Sequence, residues 1–170
     1  MKTLHVVVEK WNPKWKEGFY KIVDSLGNDI VQNSINIEHV GSTSVEGLSA
    51  KPIIDLDVVI DNDKFPLIKE LLEDKGYEYE GNLGIKDREA FSYINKNELM
   101  AHHLYVCPQD SKELLRHITF RDYLRSNPDL VAEYSRVKEE AAALYPDDIN
   151  KYMEFKSGFI EKVYKQCGLL

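Results

Sequence analysis

Residues 39–60 read HVGSTSVEGLSAKPIIDLDVVI, a glycine- and hydroxyl-rich turn that leads into an almost wholly apolar strand. The strand carries Asp55 and Asp57. Since successive side chains of a strand point to opposite faces, the two carboxylates share one face, roughly 6–7 Å apart at ~3.3 Å per residue. Carboxylates at that separation can bind one divalent ion or flank two ions ~3.5–4 Å apart. We therefore predict that Asp55 and Asp57 are metal ligands, and that one of them stays protonated when no cation is bound.

The turn supplies a candidate phosphate site beside this strand. Gly41 lets backbone amides approach a ligand closely, and Ser42 and Thr43 add hydroxyl donors. The turn is not a Walker A loop, because no Gly-Lys-Ser/Thr follows at the required spacing. A glycine–serine turn alone is most often a plain loop, but twelve residues separate Ser42 from Asp55, and this combination favours adjacent phosphate and cation sites. Because the carboxylates lie a strand away, substitution of Gly41 is expected to weaken phosphate binding and to leave metal affinity unchanged.

Four basic residues are further candidates for ligand binding. Lys51 stands at the mouth of the aspartate strand, where it would contact phosphate or neutralise the aspartates. Arg121 would reach the same phosphate site or pair with neighbouring acids on a helix surface. Arg88 falls in a predicted loop and is a plausible recognition residue, and Lys156 is a weaker candidate.

The histidines divide into one candidate for chemistry and two for structure. His102 and His103 are adjacent on a predicted strand and therefore face opposite sides of the sheet. His103 shares its face with Tyr105, which favours it as the residue beside the aspartates, where neutral imidazole would act as a ligand or general base. We expect His102 to be packed and hydrogen-bonded, and His39 to brace the turn.

The rest of the chain predicts an α+β fold, a mixed β-sheet flanked by helices with a C-terminal helical cap. A helix is predicted to begin at Pro13, with Asn12 as its cap, and to carry an apolar stripe from Trp15 to Ile30. We predict one domain over 1–170, with a mixed α/β half at 1–108 and a helical half at 109–170. The predicted strands are 4–8, 35–40, 52–60, 77–81, 91–95 and 102–106, and the other helices are 64–75 and about 110–125, 129–144 and 149–166.

Composition limits the classes of partner. Acidic residues outnumber basic ones 29 to 22, for a net charge of -7, which disfavours extended nucleic-acid binding because that requires many Lys and Arg contacts to phosphate. A small anionic substrate held by a few local bases remains compatible. The apolar runs are too short for a membrane span and no cleavable leader is evident, so we expect a cytoplasmic protein that does not bind membranes.

The Gly41-Ser42 turn and the Asp55-Leu56-Asp57 strand resemble the motif of the nucleotidyltransferase superfamily with the DNA polymerase β-like fold. More closely, the chain resembles the GrpB-like family through VVVEKWNPKW, IEHVGSTSVEGLSAKPIIDLDVVI, GYEYEGNLGI, HHLYV and FRDYLRSNPDL. The resemblance implies a nucleotidyltransferase-like sheet, a nucleoside triphosphate on the Gly-Ser turn, and Mg²⁺ or Mn²⁺ on the two aspartates. Some members of the family are fused to dephospho-CoA kinase.

One departure from the superfamily bears on activity. Active members usually carry a third carboxylate on a neighbouring strand, whereas HHLYV has histidines and no acid. Glu89 and Glu98 are nearby in sequence, but both are predicted to lie in loops. The chain also has Met100-Ala101 just before His102, where the resemblance leads us to expect arginine.

Three functions are compatible with these features. The first is a Mg²⁺-dependent nucleotidyltransferase that moves a nucleotidyl group from a nucleoside triphosphate to an unknown small-molecule or protein acceptor, whose hydroxyl His103 would help to activate. The second is a catalytically inactive module that binds a nucleotide or a CoA precursor, which the missing third acid favours. The third is a structural domain that binds a partner through its helical half.

Overall fold

The computed structural model describes residues 5–170 and contains a five-stranded mixed sheet. The strand order is β1-β2-β5-β4-β3, in which β2 and β5 are parallel and the other neighbours are antiparallel. The α+β class is confirmed. The strands are β1 Asn36–Val40, β2 Ile54–Ile60, β3 Glu78–Gly81, β4 Glu89–Ser92 and β5 His102–Pro108; the helices are α1 Lys14–Leu26, α2 Asn28–Asn33, α3 Phe65–Asp74, α4 Lys112–Arg125, α5 Pro128–Leu144 and α6 Ile149–Gln166.

The two faces of β2 have different environments. Leu56 and Val58 belong to the main apolar core, which α1 and α3 complete from the side of the sheet opposite the aspartates. On the other face, Asp55 lies opposite His103 and Asp57 opposite Tyr105 in the parallel pairing with β5. The predicted alternation along β2 is therefore confirmed, and it leaves the aspartate face to be covered by the C-terminal helices.

The predicted helix from Pro13 to Ile30 is interrupted, which corrects the single stripe read from the sequence. Asn12 Oδ1 accepts a hydrogen bond from the Lys14 amide, 2.9 Å away, as a capping side chain does. The chain then leaves the helix at Gly27, where φ is +84°, and a second short helix follows. Ile30 still packs into the main core, because the turn at Gly27 returns the chain to the same apolar surface.

Two predicted strands differ from the structure. Of the predicted strand 4–8, residue 4 lies outside the described residues, and residues 5–8 form no strand; a single bridge joins Glu9 to Ala50. Val6 instead donates its amide to the Pro146 carbonyl, at 2.7 Å, and packs beside Ala141. The predicted strand 91–95 begins earlier, at Glu89, and ends at Ser92.

The C-terminal helices fix the position of the glycine–serine turn. Val45 and Leu48, which follow the turn, are buried against Tyr134 of α5 and Phe159 of α6, whose rings stack 4.6 Å apart. This packing brings α5 and α6 against the same turn that precedes β2. Within residues 5–170, no helix has both the length and the apolar character needed to cross a membrane.

Candidate functional site

The aspartate pair and His103 lie together on one face of the sheet, as the alternation predicted. Asp55 has an exposed side-chain fraction of 30%, whereas Asp57 is fully buried. His103 Nδ1 lies 2.9 Å from Asp55 Oδ1. Because a carboxylate only accepts hydrogen bonds, Nδ1 carries the proton of this bond and Nε2 remains available as an acceptor.

A second histidine, which the sequence reading missed, holds the buried aspartate. His117 of α4 donates from Nδ1 to Asp57 Oδ2 at 2.7 Å, and its Nε2 lies 3.3 Å from Glu113 Oε1. Burial opposes a charge on this imidazole, but the hydrogen bond to Asp57 and the surrounding carboxylates outweigh it and raise the pKa of His117. Burial also raises the pKa of Asp57, in the direction expected for a protonated aspartate without a cation, and the hydrogen bond and charge of His117 oppose that shift.

The donor set fits a divalent ion that arrives with its own ligands. Asp57 Oδ1 is buried and has no hydrogen-bond partner, which is unusual for a buried polar atom; a cation bound there would satisfy it. Within the part of the chain that the structure describes, no group of three or more His, Cys, Asp or Glu side chains forms a complete metal site. Two carboxylates with phosphate and water ligands are the usual arrangement for Mg²⁺.

The turn directly contacts Asp55, which contradicts the expected separation between the turn and the carboxylates. Gly41 has φ +73°, a conformation that favours glycine, and a Cβ added there would collide with Asp55 Oδ2. Thr43 is buried and lies 2.9 Å, Oγ1 to Nε2, from His39, so its hydroxyl is committed to bracing the turn. Arg125 donates to the Ser44 carbonyl on the same side.

Ser42 instead faces a group of lysines, which we call the lysine cluster: Lys51, Lys138 and Lys156. Lys138 Nζ donates to Ser42 Oγ and is only 2% exposed. Lys156 is buried as well, and the ring of Tyr152 lies 5.0 Å from its Nζ and 5.6 Å from that of Lys51. The cluster thus joins α5, α6 and the segment before β2 at one point beside the turn.

Burial and mutual repulsion weaken the charges of this cluster. Burial, followed by the charges of Lys156 and Lys51, holds the pKa of Lys138 well below its usual range. Burial and the charge of Lys51 lower the pKa of Lys156 to about 8, while Asp55 opposes that shift. Burial also lowers the pKa of Lys51. Among residues 5–170, no carboxylate lies within ion-pair distance of these three ammonium groups.

Arg121 and Arg88, the two arginines considered as ligand-binding residues, have different environments in the structure. Arg121 Nη1 lies 2.6 Å from Glu38 Oε2 and 3.0 Å from the His39 carbonyl, and its Nε contacts Asp122. These contacts tie α4 to β1, which is the pairing alternative left open by the sequence. Arg88, by contrast, packs its guanidinium 4.4 Å from the centre of the Tyr105 ring, on the aspartate face.

β5, the strand on which a third carboxylate was expected, carries none, but Glu38 of β1 lies in register with Asp57 on the aspartate face, where its Oε2 is 2.6 Å from Arg121 Nη1. Tyr105 occupies the β5 position in register with Asp57. Glu89 lies in β4 and not in the predicted loop, and it pairs with Val106, which places it on the opposite face of the sheet. Glu113 of α4 also approaches this site, where its Oε1 lies 3.3 Å from His117 Nε2.

The sheet order, the turn and the aspartate pair together define a nucleotidyltransferase-like fold. Cid1, a poly(U) polymerase solved with the UTP analogue UMPNPP, superposes with a TM-score of 0.53 at 16% identity over 79% of this chain and 42% of its own. A crystal structure of GrpB from Enterococcus faecalis superposes with a TM-score of 0.81 at 36% identity over 95% of this chain and 96% of that chain.

Sequence comparison identifies the family to which the chain belongs. The family model described as GrpB protein matches residues 5–166, and the chain belongs to the GrpB family. The glutamate-rich protein GrpB of Alkalihalophilus pseudofirmus is 30% identical over 165 residues, which cover 95% of each chain. The UPF0157 protein YqkA of Bacillus subtilis is 34% identical over 152 residues, and the match spans 89% of this chain but 44% of YqkA.

Proposed function

We propose that the protein binds a nucleoside triphosphate with Mg²⁺ and transfers its nucleotidyl group to an acceptor hydroxyl. The observation that carries the proposal is the lysine cluster beside Ser42, directly next to Asp55 across the Gly41 turn. Burying the charges of Lys138 and Lys156 beside the half-buried Lys51 without an anion is unfavourable, and a polyphosphate would neutralise them. The fold shared with Cid1 supports the same reading, since Cid1 was solved with a UTP analogue.

The geometry assigns a role to each group around the triphosphate. Lys138, Lys156 and the Ser42 hydroxyl would bind its β- and γ-phosphates and stabilise the charge that develops on the leaving pyrophosphate. Asp55 Oδ2 and Asp57 Oδ1 would hold Mg²⁺, which would supply further charge neutralisation at the phosphates. His103 Nε2 would accept the proton of the acceptor hydroxyl while Asp55 holds the ring through Nδ1.

Binding is tested by calorimetric titration of the protein with each of the four common nucleoside triphosphates, with and without Mg²⁺. We expect saturable binding that Mg²⁺ strengthens and that Lys138→Met weakens at least about tenfold. Lys162→Met is the matched control, because Lys162 lies on the surface of α6 and pairs with Glu133. Failure of all four triphosphates to bind would refute the proposal.

A second function, binding without transfer, is favoured by the two strand positions opposite Asp57: β5 has Tyr105 there, and Glu38 of β1 is paired with Arg121. A third carboxylate that is paired with Arg121, and so not free for a metal ion, would weaken transfer chemistry while leaving the lysine cluster intact. Incubation with α-labelled triphosphate, Mg²⁺ and cell extract separates the two functions. Transfer predicts a labelled product that is lost in Asp55→Asn; binding alone predicts saturable titration with no labelled product.

A further inference from the structure

A cavity of about 510 Å³ opens beside His103, and Lys51 of the lysine cluster is part of its lining. Its floor is formed by β4 and β5, and its walls by the segment before β2 and the loop after β3. The lining is mainly apolar, with Ile53, Ala90 and Leu83 along its length. Its volume lies within the ~300–1,000 Å³ range of small-molecule sites.

One end of the cavity is chemically distinct. His103 and Tyr105 line it there, and they share the sheet face with Asp55 and Asp57. Because His103 Nδ1 is bonded to Asp55, Nε2 is the ring nitrogen left for a ligand in the cavity. An apolar chamber that ends at a hydrogen-bond acceptor suits a molecule with an apolar body and a hydroxyl at one end.

Lys51 connects this cavity to the proposed phosphate site. It lines the cavity, and it is also the member of the lysine cluster whose charge acts on Lys138 and Lys156. A second series of contacts runs from Lys138 through the Gly41-Ser42 turn, Asp55 and His103 to the cavity. A triphosphate on the lysines would place its α-phosphorus toward the aspartates, between the two sites.

We propose that this cavity is the acceptor site and that the acceptor is a small, largely apolar molecule bearing a hydroxyl group. The inference rests on the proposed function. In the transfer, the acceptor oxygen forms a bond to the α-phosphorus and the bond from the α-phosphorus to the β-phosphate bridging oxygen breaks. Pyrophosphate leaves with that electron pair, and the hydroxyl proton passes to His103 Nε2.

The substrate class follows from the apolar character and the charge of the lining. Ionisable side chains on the cavity are few and of both signs, with Lys51 and Glu80 among them. A polyanion such as a nucleic-acid end would meet little positive charge there, and the chain as a whole carries a net charge of -7. A protein side chain is the competing acceptor, and the experiment distinguishes it.

Filling the cavity tests the assignment. Ala101 lines the cavity and is exposed, so Ala101→Trp adds bulk there without replacing a core side chain. Ala143→Trp is the matched control on an exposed position of α5. Each protein is incubated with Mg²⁺, α-labelled triphosphate and either the small-molecule or the macromolecular fraction of a cell extract, and triphosphate affinity is titrated separately.

We expect labelled product only with the small-molecule fraction, about tenfold less of it in Ala101→Trp than in the wild type and the control, and equal triphosphate affinity in all three. Label on protein or nucleic acid, undiminished transfer in Ala101→Trp, or triphosphate binding without any labelled product would each overturn the acceptor assignment. If the wild type does not bind triphosphate, the proposed function itself is refuted.

A measurement without nucleotide tests the cavity even if the wild type does not bind triphosphate. Titration with 2-phenylethanol, an apolar body with one hydroxyl, is followed by the amide shifts of Ala90 and Ser92 and the ring shifts of His103. Saturable shifts in the wild type and in Ala143→Trp, but not in Ala101→Trp, support the site. Absence of saturable shifts in the wild type would overturn it.

Discussion

At the scale of single residues, the most informative side chains are two lysines on otherwise buried helix faces. Lys138 follows Val131 and Tyr134 and precedes Ala141 on the buried stripe of α5. Lys156 holds the equivalent place on α6. A charged residue at helical spacing within an apolar stripe is a signal that the sequence contained, because such a side chain must be buried with a partner or beside a ligand.

Lys138→Met is predicted to weaken triphosphate binding and to stabilise the ligand-free protein. Removing a buried cation with no carboxylate beside it should raise the free energy of unfolding of the ligand-free protein by about 1–3 kcal/mol, since methionine fills the space and needs no counter-charge. Denaturant unfolding measures this change. Lys162→Met, a surface substitution, should leave stability within about 0.5 kcal/mol, and a clear loss of stability in Lys138→Met would mean that its bond to Ser42 is structural.

Lys156 is predicted to make triphosphate binding pH-dependent above neutrality. Its pKa is about 8 in the folded protein, and a bound anion favours the protonated form, so affinity should fall as the pH rises through that value. The measurement is triphosphate affinity without Mg²⁺ between about pH 7 and 9.5, a range that brackets the pKa of Lys156. The difference between wild type and Lys156→Met isolates this residue from the other lysines; parallel profiles would contradict the prediction.

The same shift has a defined sign in the stability of the ligand-free protein. The pKa of Lys156 is lower folded than unfolded, from an ordinary value of 10.5, so the unfolded chain binds more protons between about 8 and 10.5. Stability therefore rises with pH across that window, and the burial penalty is fully present below it. Lys156→Met should remove this part of the slope in unfolding curves collected at several pH values.

At the scale of elements, the Gly41 turn is predicted to control both proposed subsites at once. Gly41→Ala adds a Cβ at φ +73° that meets the Asp55 carboxylate, so either the turn or Asp55 must move. We expect the affinities for Mn²⁺ and for triphosphate each to fall at least about tenfold. Mn²⁺ binding is measured by the line broadening of nearby amide signals. Gly84→Ala is the matched control, because Gly84 also has positive φ but has open space around it.

The elements show what the sequence could and could not predict. Strand alternation was sufficient to place Asp55, Asp57 and His103 on one face, because the apolar residues of β2 must face the core. It did not reveal His117, whose helix reaches Asp57 only through the packing of α4 on the sheet. The apolar residues near Val6 also resembled a strand, but they pack on the C-terminal helices without a strand partner.

At the scale of the whole molecule, the proposed ligand would join the sheet to the helical half. The aspartates belong to β2, whereas Lys138 and Lys156 belong to α5 and α6, so a Mg²⁺–triphosphate complex would contact both at once. A ligand that binds only the folded state stabilises it by about 2.7 kcal/mol at a free concentration one hundred times its Kd. For a chain of this size, that corresponds to a rise in Tm of roughly 5–11 °C.

This linkage is predicted to appear in the helices as well as in the sheet. With Mg²⁺ and triphosphate bound, hydrogen exchange should slow in β2 and also in α5 and α6, because opening either half would break contacts to the ligand. Lys138→Met should lose the protection of α5 and at least about half of the rise in Tm, while Lys162→Met should keep both. Protection confined to β2 and the turn would mean that the ligand does not engage the lysines, and the buried cluster would then need another anion to explain it.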